Sequence, residues 1–265
     1  MSKKGNNYEI PKIIHFFWFG NNPFPKEYEE YIGSWEKYFP NYKIIKWDES
    51  NFDINNQCQY FDEAYNNKCW AFASDYARFK ILYDYGGVYL DTDVEVIRTF
   101  DDLIQKGPFF GTERSLFGNY SVAPGLVMAF YPKHPLIKKI LEHYEKTSFL
   151  VKNKPDFKNN VCKRVTRILK KLGYSTKKAT NQTIGDVTIY STDYFCPVDF
   201  FAREFATTEN TRTNHHYAFT WADEKSKKNS DKLCRYIKKY GRKKGPFLWY
   251  LSLIPSLLIN KLKRK

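Results

Sequence analysis

The sequence predicts an α/β fold built around a mostly parallel central sheet. Residues 12–47 contain two apolar, β-branched runs separated by a stretch with helical spacing. This is the order of a βαβ unit with a right-handed crossover. Residues 70–90 repeat the order of helix and strand, and Asp91 and Asp93 follow that strand directly. Acidic side chains at the carboxyl end of such a strand lie where open α/β sheets bind ligands.

Local patterns justify each element. Lys12–Phe19 is predicted to be a buried strand because it is a β-branched and aromatic run that ends at Gly20. Trp70–Tyr85 has the spacing of a helix with an apolar stripe, and Gly86 allows the tight turn into the strand Val88–Leu90. The other predicted elements are helices over 25–39, 135–144 and 159–172, strands over 42–47, 107–111, 126–130 and 187–190, and a loop or short strand over 215–221.

The pair Asp91 and Asp93 indicates a metal site. Residues two apart on a strand share a face, so both carboxylates are expected to reach one cation. Oxygen donors with no neighbouring His or Cys suit Mg²⁺ or Mn²⁺, which complete their shells with water and substrate phosphates. An isolated Asp-x-Asp also occurs in surface turns, but the apolar strand before this pair favours the metal site.

The net charge of +14 is concentrated at the C-terminal end. Residues 225–265 hold 14 of the 43 Lys and Arg residues and one acid, Asp231, so residues 1–224 are almost neutral. The basic character therefore gives no support for a nucleic-acid partner of the main domain. We expect a globular domain over 1–224 followed by a basic amphipathic tail over 225–265.

The cysteines and the first residues favour a reducing compartment. The five Cys are odd in number and scattered, and the sequence has no Cys-x-x-Cys, so neither a disulfide framework nor a zinc site is predicted. The start of the chain lacks the apolar region of a secretion signal. Both features are typical of a cytoplasmic protein.

Five further side chains are candidates for the same site. Asp75 and Arg78 lie three apart on one helix face, where they line a pocket or form a simple ion pair worth about 0.3–0.5 kcal/mol. Trp18 ends the first strand and either stacks on a base or belongs to the core. His216, in a segment that also contains Trp221, either completes a metal shell through a ring nitrogen or is structural.

Taken together, these segments resemble glycosyltransferase family 32. The resemblance is carried by IPKIIHFFWFG at residues 10–20, ASDYARFKILYDYGGVYLDTDVEVIRTFDDL at 73–103 and HHYAFTW at 215–221. That family contains bacterial capsule-type sugar transferases and fungal mannosyltransferases, and it is distantly similar to the catalytic domains of clostridial glucosylating toxins. The resemblance spans residues 10–221 and implies the nucleotide-sugar-binding α/β fold called GT-A.

The resemblance also implies residue roles. It assigns contacts with the donor to Trp18, Asp75, Arg78, Tyr89, Asp91 and Trp221. It assigns the metal to Asp91, Asp93 and His216, and catalysis to Asp75, Arg78, Asp91 and Asp93. Residues 121–125 depart from the Asn-containing loop of many members, so the group that contacts the acceptor stays open.

The activity implied is a metal-dependent transfer, with retention of anomeric configuration, from a nucleotide sugar to a saccharide. The donor is expected to be UDP-linked rather than GDP-linked, and the cation Mn²⁺ or Mg²⁺. The acceptor is expected to be lipid-linked, in the synthesis of cell-surface or capsular polysaccharide. The enzyme is expected in the bacterial cytoplasm, peripheral on the inner face of the membrane.

Two other functions fit parts of the sequence. A haloacid-dehalogenase-type phosphatase would use the Asp-x-Asp-x-Val pattern at Asp91–Val94, but its nucleophile is placed near the domain start and it needs a later acidic pair. Asp101 and Asp102 follow too closely to serve as that pair. A non-catalytic membrane-bound protein would use the basic tail, but would leave the acidic pair unexplained.

Residues 243–265 are expected to lie in the interface of an anionic membrane. Ten of the thirteen residues in Phe247–Ile259 are apolar, and basic residues flank this run on both sides. A helix of that length spans about 20 Å, short of the roughly 30 Å hydrocarbon core, and Pro255 interrupts it. Trp249 and Tyr250 suit the headgroup level. The alternative is a core helix that packs on the main domain.

Overall fold

The computed structural model describes residues 9–55, 57–201, 204–218 and 224–254, which form an α/β fold with a central sheet. The helices of the described residues are α1 (Lys26–Tyr38), α2 (Gln59–Asn66), α3 (Trp70–Tyr85), α4 (Asp101–Ile104), α5 (Pro135–Glu145), α6 (Val161–Lys170), α7 (Thr192–Phe195) and α8 (Glu224–Leu251). The strands are β1 (Ile13–Phe17), β2 (Lys43–Trp47), β3 (Gly87–Tyr89), β4 (Val94–Val96), β5 (Phe109–Phe110), β6 (Thr112–Arg114), β7 (Tyr120–Val122), β8 (Met128–Phe130), β9 (Leu150–Val151), β10 (Lys154–Pro155), β11 (Gln182–Ile184), β12 (Val187–Ile189), β13 (Val198–Asp199), β14 (Glu204–Phe205) and β15 (Thr213–His215).

The central sheet has seven strands in the order β11-β12-β5-β8-β3-β1-β2. Five of them run in one direction, while β8 is antiparallel to both of its neighbours and β11 is antiparallel to β12. The predicted βαβ unit is present, because β1 and β2 pair in parallel on either side of α1 in the chain. The prediction of an α/β fold with a mostly parallel sheet is therefore confirmed.

Side chains of the central strands alternate between two hydrophobic clusters, one on each face of the sheet. In β1, Ile14 and Phe16 belong to the cluster that includes Trp35 of α1, whereas Phe17 belongs to the cluster that includes α3. This is the period of two that strand geometry imposes. Both faces of the sheet are covered, which explains why these strands read as continuous apolar runs.

The helix α3 is buried on nearly all sides. Every residue from Phe72 to Phe79 is buried, because α3 contacts α2 and α5 as well as strands of the sheet. The prediction of one apolar stripe with a separate polar face was therefore wrong. Asp75 and Arg78 lie in the interior, and their charges must be compensated there.

Most predicted elements are present within two or three residues of their expected ends. The helices over 25–39, 70–85 and 135–144 correspond closely to α1, α3 and α5. The sequence reading missed α2, a short helix with three buried residues that packs against α3. It also missed β4, which immediately follows the acidic pair and pairs antiparallel with β15.

The tail begins with α8, which attaches to the rest of the chain. Its buried residues include Leu233, Cys234 and Ile237. Within the described residues, no helix is both long enough and apolar enough to cross a membrane. The last part of the predicted membrane segment, residues 255–265, lies outside the described residues.

Candidate active site

A cavity of about 470 Å³ opens at the carboxyl ends of β1 and β3. The start of α3 forms another part of its wall, and the segment after β15 closes one side. This is the edge of the sheet at which α/β folds bind ligands. Its lining includes Trp18, Lys68, Trp70, Arg78, Tyr89, Asp91, Asp93, His215 and Ala218.

Asp91 is held in place by three neighbours. Its carboxylate accepts a hydrogen bond from the Tyr89 hydroxyl at 2.9 Å and lies 3.3 Å from an Arg78 nitrogen, and its own N–H donates to the Gly125 carbonyl at 2.9 Å. A Cβ on Gly125 would lie 2.0 Å from the carboxylate, so any larger residue would displace it. About a third of the Asp91 side chain remains exposed. The carboxylate is therefore oriented and still open to the cavity.

Asp93 is held from the other side, by the end of β15 and the segment that follows it. Its carboxylate accepts a hydrogen bond from the Ala218 N–H at 2.9 Å and lies 3.1 Å from Nε2 of His215. Burial by itself would raise the pKa of Asp93, but the charge and hydrogen bond of His215 and the Ala218 N–H lower it to about 2. Asp93 is thus ionised throughout the physiological range, and the same pairing raises the pKa of His215 against the effect of burial.

The acidic pair lies in a turn rather than on a strand. The strand β3 ends at Tyr89, and the Val94 N–H donates to the Asp91 carbonyl at 3.1 Å, which closes a turn over Asp91–Val94. Both carboxylates line the same cavity, and their reach to one shared cation stays a prediction. The reason given for it, the alternation of a strand, was wrong.

Arg78 links Asp91 to the interior. One terminal nitrogen approaches Asp91, the other lies 3.0 Å from Asp75, and the guanidinium lies 4.8 Å from the centre of the Tyr89 ring. Its Nε donates to the Ser74 carbonyl. The ion pair between Asp75 and Arg78 that the spacing allowed is present, but it is buried and extends to Asp91 instead of lying on the surface.

Asp75 lies behind Arg78 and is not part of the cavity wall. Burial raises its pKa to about 7, with the charge of Arg78 acting in the opposite direction and that of Asp91 adding to the rise. Asp75 therefore does not lie where the predicted contact with the donor sugar would require it, at the cavity wall. Its contact is with Arg78, which in turn orients Asp91.

Trp18 stands at the cavity wall. Its half-buried indole packs edge-on against Phe24 and Tyr28, with ring centres 5.0 and 5.7 Å apart, and its Nε1 donates to the Asn22 carbonyl at 2.8 Å. The indole is thus fixed by its neighbours while it still lines the cavity. Such a ring is available for stacking.

Of the two adjacent histidines, His215 and not His216 faces the acidic pair. The ring of His216 stacks on Tyr31, with ring centres 4.2 Å apart, and its Nε2 lies 2.9 Å from Glu95. Neighbouring residues of a strand point to opposite faces, and β15 places His215 opposite Val94. The predicted metal contact of His216 is corrected accordingly: its backbone N–H binds the Asp93 carbonyl at 2.9 Å, but its ring points elsewhere.

Trp221 lies outside the described residues. The sequence did not point to His215, Ala218 and Gly125, which position the acidic pair, or to Lys68 and Trp70, which line the cavity. Recognition of β4 and of its pairing with β15 would have indicated His215, because that register places His215 opposite Val94, next to Asp93. Gly125 and Ala218 act through their backbones or their lack of bulk, which leaves no motif in the sequence.

The acidic pair fits a cation that a substrate completes. Among the described residues, no group of three or more His, Cys, Asp and Glu side chains is placed to hold a metal ion by itself. Mg²⁺ commonly binds through one or two carboxylates, with water and substrate phosphates supplying the remaining ligands. Asp93, which is ionised, and Asp91, which is partly exposed, meet that requirement.

The stretch that contains the acidic pair matches a known family. Residues 25–110 match the family described as the glycosyltransferase sugar-binding region containing DXD motif. The chain therefore contains the DXD-bearing sugar-binding region of a glycosyltransferase. The matched stretch includes α3 and the turn with Asp91 and Asp93, so the motif of the family is the acidic pair at the cavity wall.

Named relatives agree with this assignment. The glycosyltransferase is 28% identical over 199 residues to an uncharacterized glycosyltransferase of Acanthamoeba polyphaga mimivirus, a match of 72% of this chain and 75% of the relative. It is 32% identical over 143 residues to inositol phosphoceramide mannosyltransferase 3 of Schizosaccharomyces pombe, which covers 53% of this chain and 38% of that relative. The glycosyltransferase thus spans well under half the length of this fungal relative.

A solved structure of PaToxG glycosyltransferase superimposes with a TM-score of 0.42 at 17% identity. The superposition covers 61% of the glycosyltransferase described here and 69% of the other chain.

Proposed function

We propose that the protein transfers a sugar from a nucleotide-sugar donor to a saccharide acceptor with the help of Mn²⁺ or Mg²⁺. The observation that carries this proposal is the pairing of an ionised Asp93 with a partly open Asp91 at the wall of one cavity. The volume of about 470 Å³ is in the range of small-molecule sites. A UDP-linked donor is proposed over a GDP-linked one, on the family resemblance.

Neighbouring residues fix the charge and direction of both carboxylates without a bound donor. His215 and the Ala218 N–H keep Asp93 ionised, and Tyr89 and Arg78 fix the direction of Asp91. When bound, the cation would supply positive charge against the negative charge that grows on the departing diphosphate. Preorganised groups of this kind need no rearrangement at the moment of reaction.

The acceptor is proposed to be a lipid-linked saccharide. The name of the fungal relative states that it transfers mannose to inositol phosphoceramide, which is a lipid. That name supports a lipid-bearing acceptor here. A role in cell-surface or capsular polysaccharide synthesis, retention of anomeric configuration and a peripheral position on the inner face of a bacterial membrane are part of the same proposal, and their support is the family resemblance and the composition of the tail.

Neither alternative function accounts for the site. A phosphatase would need Asp91 as a free nucleophile and a later acidic pair, but Asp91 is bound by Tyr89 and Arg78. Asp101 accepts a hydrogen bond from the Tyr42 hydroxyl, and Asp102 pairs with Arg212, so neither serves that purpose. A non-catalytic protein would not need the family's acidic motif.

A screen of nucleotide sugars tests the proposed function. We expect hydrolysis of one donor class in the presence of Mn²⁺ or Mg²⁺, and its loss when a chelator is added. Turnover that survives the chelator would exclude the metal, and turnover of no nucleotide sugar would contradict the proposed donor. An aspartyl-phosphate trapped on Asp91 would instead support the phosphatase.

Replacement of Trp18 tests whether the base of the nucleotide donor stacks on this indole. We expect Trp18→Ala to weaken donor binding by about 1–3 kcal/mol, the range for stacking of a base on an aromatic ring. Trp18→Phe keeps a ring at the same wall and should retain most of the affinity. Calorimetric titration of the donor measures both variants, and thermal melts monitor folding. A folded Trp18→Ala protein with unchanged donor affinity would show that the indole serves only to support Phe24 and Tyr28.

A further inference from the structure

The tail is not a continuous helix. Within α8, Gly241 has φ 73° and ψ 167°, so the helix breaks there and a second helical segment follows. Gly245 then packs closely against the first segment, since a Cβ at this position would lie 2.7 Å from the Cα of Ile237. The second segment is therefore folded against the first.

Arg242, next to the break, fixes the second segment to the main domain. Its guanidinium donates to the carbonyls of Ser115 and Leu116 at 2.8 and 2.9 Å, and it pairs with Asp199. Ser115 and Leu116 belong to the turn between β6 and β7. The start of the second segment therefore adjoins the tip of this hairpin.

Large apolar side chains are exposed on both parts of this junction. Phe117, at the hairpin tip, is 72% exposed, and Phe247 and Tyr250 of the second segment are 62% and 54% exposed. Lys243 and Leu251 are also exposed, and positions 243, 247, 250 and 251 recur at the spacing of one helix face. The opposite side of the segment packs on the protein, since Gly245 and Pro246 are buried and Leu248 is half-buried. Trp249 is half-buried as well.

The charged residues of α8 are almost all positive. The residues of α8 include ten Lys and Arg and two acids, and Lys238, Lys239, Lys243 and Lys244 are exposed. Exposed aromatic rings beside lysines are typical of surfaces that bind at the headgroup level of anionic membranes. A protein partner of the usual kind would instead require a larger apolar patch with few lysines.

We propose that Phe117 of the β6–β7 turn and the exposed face of residues 243–251 form one docking surface for an anionic lipid bilayer. The surface has two parts, one from the main domain and one from the tail, and Arg242 joins them. The bilayer would thereby meet the whole enzyme in a defined orientation, and not the tail alone. The purpose of this surface rests on the proposed lipid-linked acceptor, but its evidence is independent of that acceptor.

Flotation of the full-length protein with lipid vesicles tests whether the lysines of the docking surface bind anionic lipid. We expect binding to phosphatidylglycerol–phosphatidylcholine vesicles and little binding to pure phosphatidylcholine. The double variant Lys243→Gln/Lys244→Gln should lower the partition coefficient about 30-fold, since each lysine near an anionic surface contributes on the order of a fivefold change. The control is Lys152→Gln/Lys154→Gln, which removes the same charge from exposed residues around the β9–β10 turn and should bind as the wild type does.

Replacement of the aromatic residues tests whether the surface has two parts. Phe117→Ser and Phe247→Ser should each lower partitioning about tenfold or more, because each removes one buried aromatic ring from the bilayer contact. Both side chains are exposed in the free protein, so thermal melts should be unchanged. Wild-type flotation of Phe117→Ser would overturn the contribution of the main domain, and equal flotation of the two lysine pairs would overturn the surface as a whole.

These measurements need no substrate. Hydrolysis of a soluble nucleotide sugar by the same variants should stay at the wild-type level, because none of the changed residues lines the cavity. A variant that no longer floats but still hydrolyses the donor supports the docking surface. A wild-type protein that floats but hydrolyses no donor contradicts the proposed activity and leaves the docking surface in place.

Discussion

Asp93→Asn should lower the rate of sugar transfer about 10²–10³-fold, as the loss of a central electrostatic stabiliser commonly does. The carboxylate of Asp93 is held ionised by His215 and the Ala218 N–H, so its charge is available for a cation at any physiological pH. An amide of nearly the same shape removes that charge and leaves an oxygen that still accepts a hydrogen bond. Steady-state transfer assays, with Mn²⁺ titrated from low to saturating concentration, measure the effect.

The matched control for this variant is Glu95→Gln, the same chemical change two residues along the chain. Glu95 lies against His216 and not in the cavity wall, so its replacement should leave turnover near the wild-type level. Thermal melts of both variants show whether each is folded. A folded Asp93→Asn enzyme with near-wild-type transfer would refute the assignment of the cation to this pair.

Arg78→Met should destabilise the fold by about 3–5 kcal/mol, the usual result when one partner of a buried ion pair is removed. The Arg78 guanidinium lies between Asp75 and Asp91, and both Arg78 and Asp75 are buried. Its loss leaves the Asp75 carboxylate in the interior without its ion-pair partner. Urea unfolding measures the change in the free energy of unfolding.

Two comparisons identify the cause of that loss. Lys80→Met changes a partly exposed cation on the same helix, paired with Asp84, and should cost no more than about 1 kcal/mol. The double variant Asp75→Asn/Arg78→Met should recover part of the loss, because the uncompensated carboxylate is gone. If Arg78→Met were no less stable than Lys80→Met, Arg78 would not be the compensating charge.

Local patterns predicted the elements that position the site. The apolar run of β1, the helical spacing of α1 and the glycines before β3 each depend on residues close together in the chain. Gly86, for example, has φ 66° and leaves no room for a Cβ beside Pro132, as expected of a tight turn. The short helix α2 was missed because its three buried residues make too brief a pattern to stand out.

The assignment of single residues within the site was less complete. Trp18, Tyr89, Arg78, Asp91 and Asp93 were all expected at the site, and all line the cavity. Asp75 was expected to line the pocket together with Arg78, three residues away on a helix face separate from the apolar stripe. That expectation failed since α3 is covered on nearly every side, and a helix surrounded by protein has no solvent-facing stripe.

The sequence by itself determined the fold class, the order of the main elements and the acidic motif, because these follow from backbone propensity and from residues near one another in the chain. Only the tertiary structure decided which atoms surround that motif. His215 and Ala218 reach Asp93 across more than 120 positions, and Gly125 meets Asp91 through a backbone carbonyl. Contacts of this kind depend on strand register and on close approach of distant segments, and neither leaves a periodic pattern in the sequence.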